Sequence, residues 1–371
     1  MAERREVVSD ETGQLGAVLA RVAEFVARGE VAGAGLAVAR GGRLVAEGYW
    51  GQARPEQAAG PDILWPLASI SKLYTAAAVM ALVERGELTL SQPVSRFLPE
   101  LAGEGREAIT LRQLLTHTSG LIYESPQMEQ MLLRHTPLDG ILDEAYGHPL
   151  LFAPGAGYSY SDFGIGLAGR VAARAAGTPF PELVRELVLD PAGLEQTFMP
   201  PPAAAYARVA TVAGVFAFGT DAAMYNSPYA LALGHPAFGA VASVRDLLRF
   251  GLLFGPASGG HRILSEATIR AMTTDQTGGE ARDHLSGLRR PWGLGFSVRA
   301  SASQLGLGDL TSPSAFGHPG ASGCTLVIDP SYDLALAYVS NQHGLSGWER
   351  WNARLDTVVN GVLAALTRRP G

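Results

Sequence analysis

Cysteine is almost missing from this chain. Cys324 stands alone among 371 residues, so no internal disulfide can form and no oxidising compartment is implied. Positive charge is also short: acidic residues outnumber basic ones 35 to 29, for a formal net charge of −6. That balance excludes electrostatic capture of nucleic acid or of an anionic membrane surface. No uninterrupted apolar run approaches the ~18 residues of a membrane span. The opening residues, 1–6, alternate in charge with no apolar stretch behind them, so a secretory signal is not expected and a cytoplasmic location is. No repeat or low-complexity tract interrupts the chain. What is abundant is apolar: 47% of residues are hydrophobic and only 17% charged, ample for a large core and wrong for a disordered chain. We expect one cooperative unit over residues 1–371, with an α/β lobe from residues 1–70 and 236–371 and a mostly helical lobe from residues 71–235.

The scarcest side chain is lysine. Of the 29 basic residues, all but Lys72 are arginine. Arginine can replace lysine wherever a fixed positive charge is enough, but guanidinium does not give up its proton at working pH. A single surviving amine is therefore a candidate catalytic group.

Patterning places the elements around it. Apolar residues at helical spacing predict a helix over residues 15–28. Residues 33–39 and 43–50 flank Arg40-Gly41-Gly42 and read as a hairpin. Residues 71–85 are alanine-rich and apolar almost all round, which predicts a buried helix. The middle of the chain alternates Pro- and Gly-rich turns with helical pieces at residues 111–116, 163–176 and 180–189. Strand-like runs return at residues 325–328 and 334–339, before a closing helix at residues 348–366. Strands at both ends and helices between them imply an antiparallel sheet built from both termini, flanked by helices.

Three short segments carry chemistry. Ser69 and Lys72 are three residues apart, a spacing that puts hydroxyl and amine on one helical face. A serine needs a base to become a nucleophile, and a buried lysine with a lowered pKa can serve. Ser71 would lie on the helix surface. Tyr160-Ser161-Asp162 follows a turn-rich loop: Tyr160 could relay a proton, and Asp162 is placed to cap the next helix. Gly317-His318-Pro319-Gly320-Ala321 leads into an apolar strand, where glycine permits close backbone approach to a ligand. The remaining histidines show no ligand-like spacing, so neither a metal nor another cofactor is expected.

The order of these segments resembles the serine β-lactamase and penicillin-binding-protein superfamily, more narrowly its class C β-lactamase-like group, and within it the family VIII carboxylesterases. Further similar stretches are residues 111–121, 190–194, 242–247 and 292–296, so the resemblance spans roughly residues 15–365. It implies the β-lactamase/transpeptidase-like fold. It also implies Ser69 as the acylated nucleophile, Lys72 and Tyr160 as the proton-transfer pair, and the backbone N–H groups of Ser69 and Ala321 as an oxyanion hole. Asp162, His318 and Gly320 fall in its substrate-binding positions, while His117 reads as structural. Two departures matter. The third motif usually carries a lysine that holds a β-lactam carboxylate, and His318 stands there. The second motif usually ends in asparagine, and Asp162 brings a negative charge. Both disfavour an anionic substrate, which leads to the expectation of a carboxylesterase acting on small neutral acyl esters. The alternatives are a β-lactamase or D-amino-acid peptidase or amidase, an acyltransferase of secondary metabolism, and a non-catalytic scaffold. The oligomeric state is not legible.

Overall fold

A computed structural model describes residues 7–256, 262–278, 282–284, 286–300 and 304–367. Its strands are β1 (Val7–Asp10), β2 (Gly33–Arg40), β3 (Arg43–Arg54), β4 (Gln57–Ala58), β5 (Trp65–Pro66), β6 (Thr197–Phe198), β7 (Val241–Ala242), β8 (Ser297–Val298), β9 (Phe316–Gly320), β10 (Cys324–Asp329) and β11 (Leu334–Ser340). The main sheet runs β1-β3-β2-β11-β10-β9-β8, with β4 beside β3, and its pairs are antiparallel. The central strands thus come from opposite ends of the chain, as a mixed α/β fold of the expected class requires. The hairpin of β2 and β3 closes through Gly41 and Gly42, whose φ values of 60° and 71° are those of a two-residue turn matched to strand twist.

Five helices position the site: α1 (Gly16–Ala27), α2 (Ser71–Glu84), α3 (Asp162–Ala176), α4 (Val244–Leu252) and α5 (Trp348–Leu366). The sheet covers itself on both faces by size alternation. On β2, Leu36 and Val38 join Leu336 and Tyr338 of β11 under α1 and α5, together with Val22, Phe25, Val358 and Val362. The intervening residues are small: Ala37 and Ala39 face the other way, into the core that contains α4 and α2. A Cβ on Gly35 would come within 2.8 Å of Val244, so the small row lets α4 lie close to the sheet.

Helix α2 has no polar face, and twelve of its fourteen residues are buried. It is reached through a short 3₁₀ turn, Ala68–Ile70, with Ala68 at φ 47°. That turn is anchored by a small second sheet, β5-β7-β6, and by the Leu67 N–H donating to the Ala240 carbonyl at 2.9 Å. No helix among the described residues is long and apolar enough to cross a membrane.

Candidate active site

Ser69 sits on the 3₁₀ turn and Lys72 one turn on, at the start of α2, and the Lys72 Nζ lies 3.1 Å from the Ser69 Oγ. The ammonium is fully buried. It donates to the Ser69 Oγ and the Ala237 carbonyl, each at 3.1 Å, and forms an ion pair with the Asp162 Oδ1 at 2.7 Å. Burial lowers the Lys72 pKa, and the Asp162 carboxylate, with Glu124 behind it, acts the other way. Burial likewise raises the Asp162 pKa, opposed by Lys72. Both shifts weaken the charged forms, so the proton between these partners is held less firmly than in an exposed pair.

Asp162 therefore meets Lys72 rather than lining the cleft, and it is not the helix cap. Ser161 caps α3, accepting the Gly164 N–H at 3.0 Å while its hydroxyl donates to the Ile122 carbonyl at 2.7 Å. Ser71 is likewise not on a helix surface: it is buried and accepts the Ala240 N–H at 2.9 Å.

Tyr160 leads directly into that cap. Its ring centroid is 4.7 Å from the Lys72 Nζ, and its hydroxyl faces the His318 Nε2 at 3.4 Å. The His318 Nδ1 lies 2.6 Å from the Pro319 carbonyl. A carbonyl only accepts, so Nδ1 carries the proton and Nε2 accepts from the Tyr160 O–H. Burial pushes the His318 pKa down to about 3, helped by the nearby Lys72 charge, so this imidazole is neutral. Burial and Asp162 hold the Tyr160 pKa well above its ordinary value, while a hydrogen bond with Ser69 acts against them. Tyr160 is a neutral phenol in this arrangement.

Strand β9 closes the site. A Cβ on Gly320 would come within 2.3 Å of the Leu67 carbonyl, so only glycine lets this strand approach the turn that carries Ser69. Ala321 follows at the strand end, and its N–H, like that of Ser69, makes no hydrogen bond among the described residues. Two N–H groups without a partner among the described residues, beside the Ser69 hydroxyl, are the kind of donors that suit a developing oxyanion.

The cleft above Ser69 has a volume of about 350 Å³, within the range of small-molecule sites. Its wall is largely aromatic and aliphatic: Tyr123, Tyr158, Trp292, Leu305, Trp348 and Trp351 join Ser69, Tyr160, His318 and Ala321. Arg290 and Asp283 also line it. Of these wall residues, Trp292 lay within a recognised stretch without an assigned role, while Trp348 and Trp351 are brought in by α5. Glu124 is another group that sequence reasoning did not single out. Burial and the Asp162 charge push its pKa up to about 8, against the pull of Lys72. Nothing local marks it, since its significance depends on the fold bringing it near Lys72. Among the described residues, no three His, Cys, Asp or Glu side chains are placed to hold a metal ion.

A serine, a buried amine and a phenol converge beside a largely apolar cleft, on a fold whose sheet comes from both chain ends. That combination is what a serine hydrolase site needs. Residues 18–358 match the beta-lactamase family, and the chain belongs to it. It is a serine hydrolase of the β-lactamase fold. Protein Rv1367c of Mycobacterium tuberculosis is 32% identical over 327 residues, covering 75% of this chain and 77% of that protein. Esterase EstB of Burkholderia gladioli is 40% identical over 148 residues, 36% of this chain and 38% of its own length. A penicillin-binding-protein homologue from Caulobacter crescentus shares the fold, with a TM-score of 0.78 at 24% identity over 97% of this chain and all of that one.

Proposed function

We propose that this protein is a carboxylesterase that cleaves small, neutral acyl esters through an acyl-enzyme on Ser69. The Ser69 Oγ forms a bond to the ester carbonyl carbon while its proton passes to Lys72, which acts in its neutral amine form, its own extra proton having moved to Asp162. Burial favours the uncharged form of both partners. The negative charge that develops on the carbonyl oxygen falls to the N–H groups of Ser69 and Ala321. Collapse of that intermediate breaks the bond to the alcohol oxygen, which leaves with the proton, relayed through Tyr160. Water then repeats the sequence on the acyl-enzyme and releases the acid.

Charge balance at the reacting end carries this reading. The only ammonium there is matched by Asp162 at 2.7 Å, and His318, whose pKa is pushed down to about 3, adds no charge where the superfamily usually presents a cation. Arg290 and Asp283 both line the cleft, one charge of each sign. A carboxylate-bearing β-lactam would find no cation at the position of His318, whereas a neutral ester needs none. The relatives include an esterase and also β-lactamases, so the choice between them rests on the charges at the site.

The test compares kcat/KM on p-nitrophenyl acetate and butyrate with kcat/KM on nitrocefin. The esters should be turned over faster. An efficiency on nitrocefin equal to or above that on the esters would replace this reading with a β-lactamase.

A further inference from the structure

We infer that His117 is a positioning residue whose neutral imidazole sets the place of Tyr160. The inference rests on the proposed proton-transfer role of Tyr160 and adds a residue to it. His117 is fully buried, at the end of the short helix Leu111–Leu115, with φ 59°. This left-handed backbone is uncommon outside glycine, although histidine is among the residues enriched there.

From that conformation a single residue holds the tyrosine on both sides. The His117 carbonyl accepts the Ser159 N–H at 2.8 Å, and its Nδ1 accepts the Ser161 N–H at 3.1 Å. Tyr160 lies between these two fixed amides. The two rings also meet, with centroids 4.5 Å apart, and Trp292 stands edge-on to His117 at 4.9 Å. The Tyr160 backbone and ring are thus both constrained by His117, while the Tyr160 hydroxyl is left to Ser69 and His318.

The clamp needs a neutral ring. An imidazolium carries N–H at both nitrogens and would turn a donor toward the Ser161 N–H. Burial, the Lys72 charge and His318 all hold the His117 pKa well below its ordinary value, which keeps Nδ1 an acceptor. The remaining proton then sits on Nε2, which is buried without a hydrogen-bond partner. A buried orphan donor is unfavourable. Its retention fits a residue kept for what its other nitrogen does.

Asparagine separates positioning from packing, because its Oδ1 can accept where Nδ1 stands and it tolerates positive φ. Phenylalanine keeps a ring but offers no acceptor. The readout is the rate at which a fluorophosphonate probe labels Ser69, followed by intact mass, with thermal midpoints measured alongside. His117→Phe should slow labelling by ~10²-fold, the lower end of what a displaced proton-transfer group costs. His117→Asn should stay within about fivefold of wild type, well short of that loss. In a Tyr160→Phe background, His117→Phe should change the rate by less than about threefold, because residues that act as one unit are not additive. Equal slowing by Asn and Phe, or the same slowing by His117→Phe in both backgrounds, would overturn the inference. If His117→Phe does not fold, His117→Leu carries the same comparison. The probe labels an activated serine whatever the natural substrate, so the esterase reading can fail on p-nitrophenyl esters without touching this result.

Discussion

Two regions of this molecule contain the same three ingredients: a carboxylate, a cation and a tyrosine. At the edge of α4, Arg245 grips Glu47 from β3, with Nε at 2.9 and 2.8 Å from the two carboxylate oxygens and Nη2 at 2.8 Å. The Tyr49 hydroxyl donates to the same carboxylate. At the start of α2, Lys72 meets Asp162 at 2.7 Å with Tyr160 alongside. The first cluster is closed. Its guanidinium cannot lose a proton, both carboxylate oxygens are taken, and the cation is half exposed. The second is open to proton movement. Its cation is an amine, fully buried, and one of its three donors is spent on the Ser69 hydroxyl. Tyr160 turns its hydroxyl toward Ser69 and His318 instead of the carboxylate. Similar composition therefore yields a fixed strut in one place and a transferable proton in the other. The choice of lysine over arginine is the chemical difference that matters most.

Exchanging the two cations breaks this comparison most sharply. Lys72→Arg should lose ~10²–10⁴-fold in kcat/KM on p-nitrophenyl butyrate, nearly as much as Lys72→Ala, because charge is retained but basicity is not. Arg245→Lys should leave kcat/KM within about threefold but cost ~1–3 kcal/mol of stability, because Glu47 is buried and loses part of its charge-assisted hydrogen bonding. Arginine largely rescuing what alanine loses at position 72 would mean that Lys72 acts by charge alone, and the base would then be Tyr160. Circular dichroism excludes misfolding as the cause.

The next effect in size concerns the cation missing from the reacting end. His318→Lys should raise the ratio of nitrocefin to ester kcat/KM by roughly tenfold, the lower end of what a hydrogen bond to a charged group contributes. An unchanged ratio would show that anion discrimination does not reside at this position.

The smallest effect is a shift along the pH axis. Lys72 is faced by Asp162 and Glu124, and by the neutral groups His117, His235, His318 and Tyr160. Asp162 favours the ammonium and so opposes the fall in the Lys72 pKa caused by burial. Asp162→Asn removes that support, the amine stays neutral to lower pH, and the acidic limb of kcat/KM should move down. Glu124→Gln should move it the same way by less, acting only where Glu124, with its pKa near 8, is ionised. Movement of the limb to higher pH in either variant would contradict the assignment of Lys72 as the titrating base.

These contrasts also mark what could be read without a structure. Ser69 and Lys72 are neighbours through helical spacing, and Tyr160 and His318 stand in short ordered motifs, so these four were legible. The hairpin at Gly41-Gly42 was legible because a two-residue glycine turn is a local signal. Asp162 was located but misjudged. Its identity said only that a negative charge was present, and the ion pair depends on α3 lying against α2. Ser71 was placed on a surface because helical phase alone does not reveal that residues 235–240 cover the start of α2. Trp348, Trp351 and Glu124 carry no local signature at all, since they reach the cleft and its surroundings only through tertiary packing.

In the proposed reaction an ester acylates Ser69. Rapid quenching of the protein during turnover of p-nitrophenyl butyrate, followed by intact-mass and peptide mapping, tests it directly. A single butyryl group is expected on Ser69, assigned against Ser71 by fragmentation of the peptide that carries both, with no adduct and no turnover in Ser69→Ala. A butyryl group on Ser71, or undiminished hydrolysis by Ser69→Ala, would contradict it.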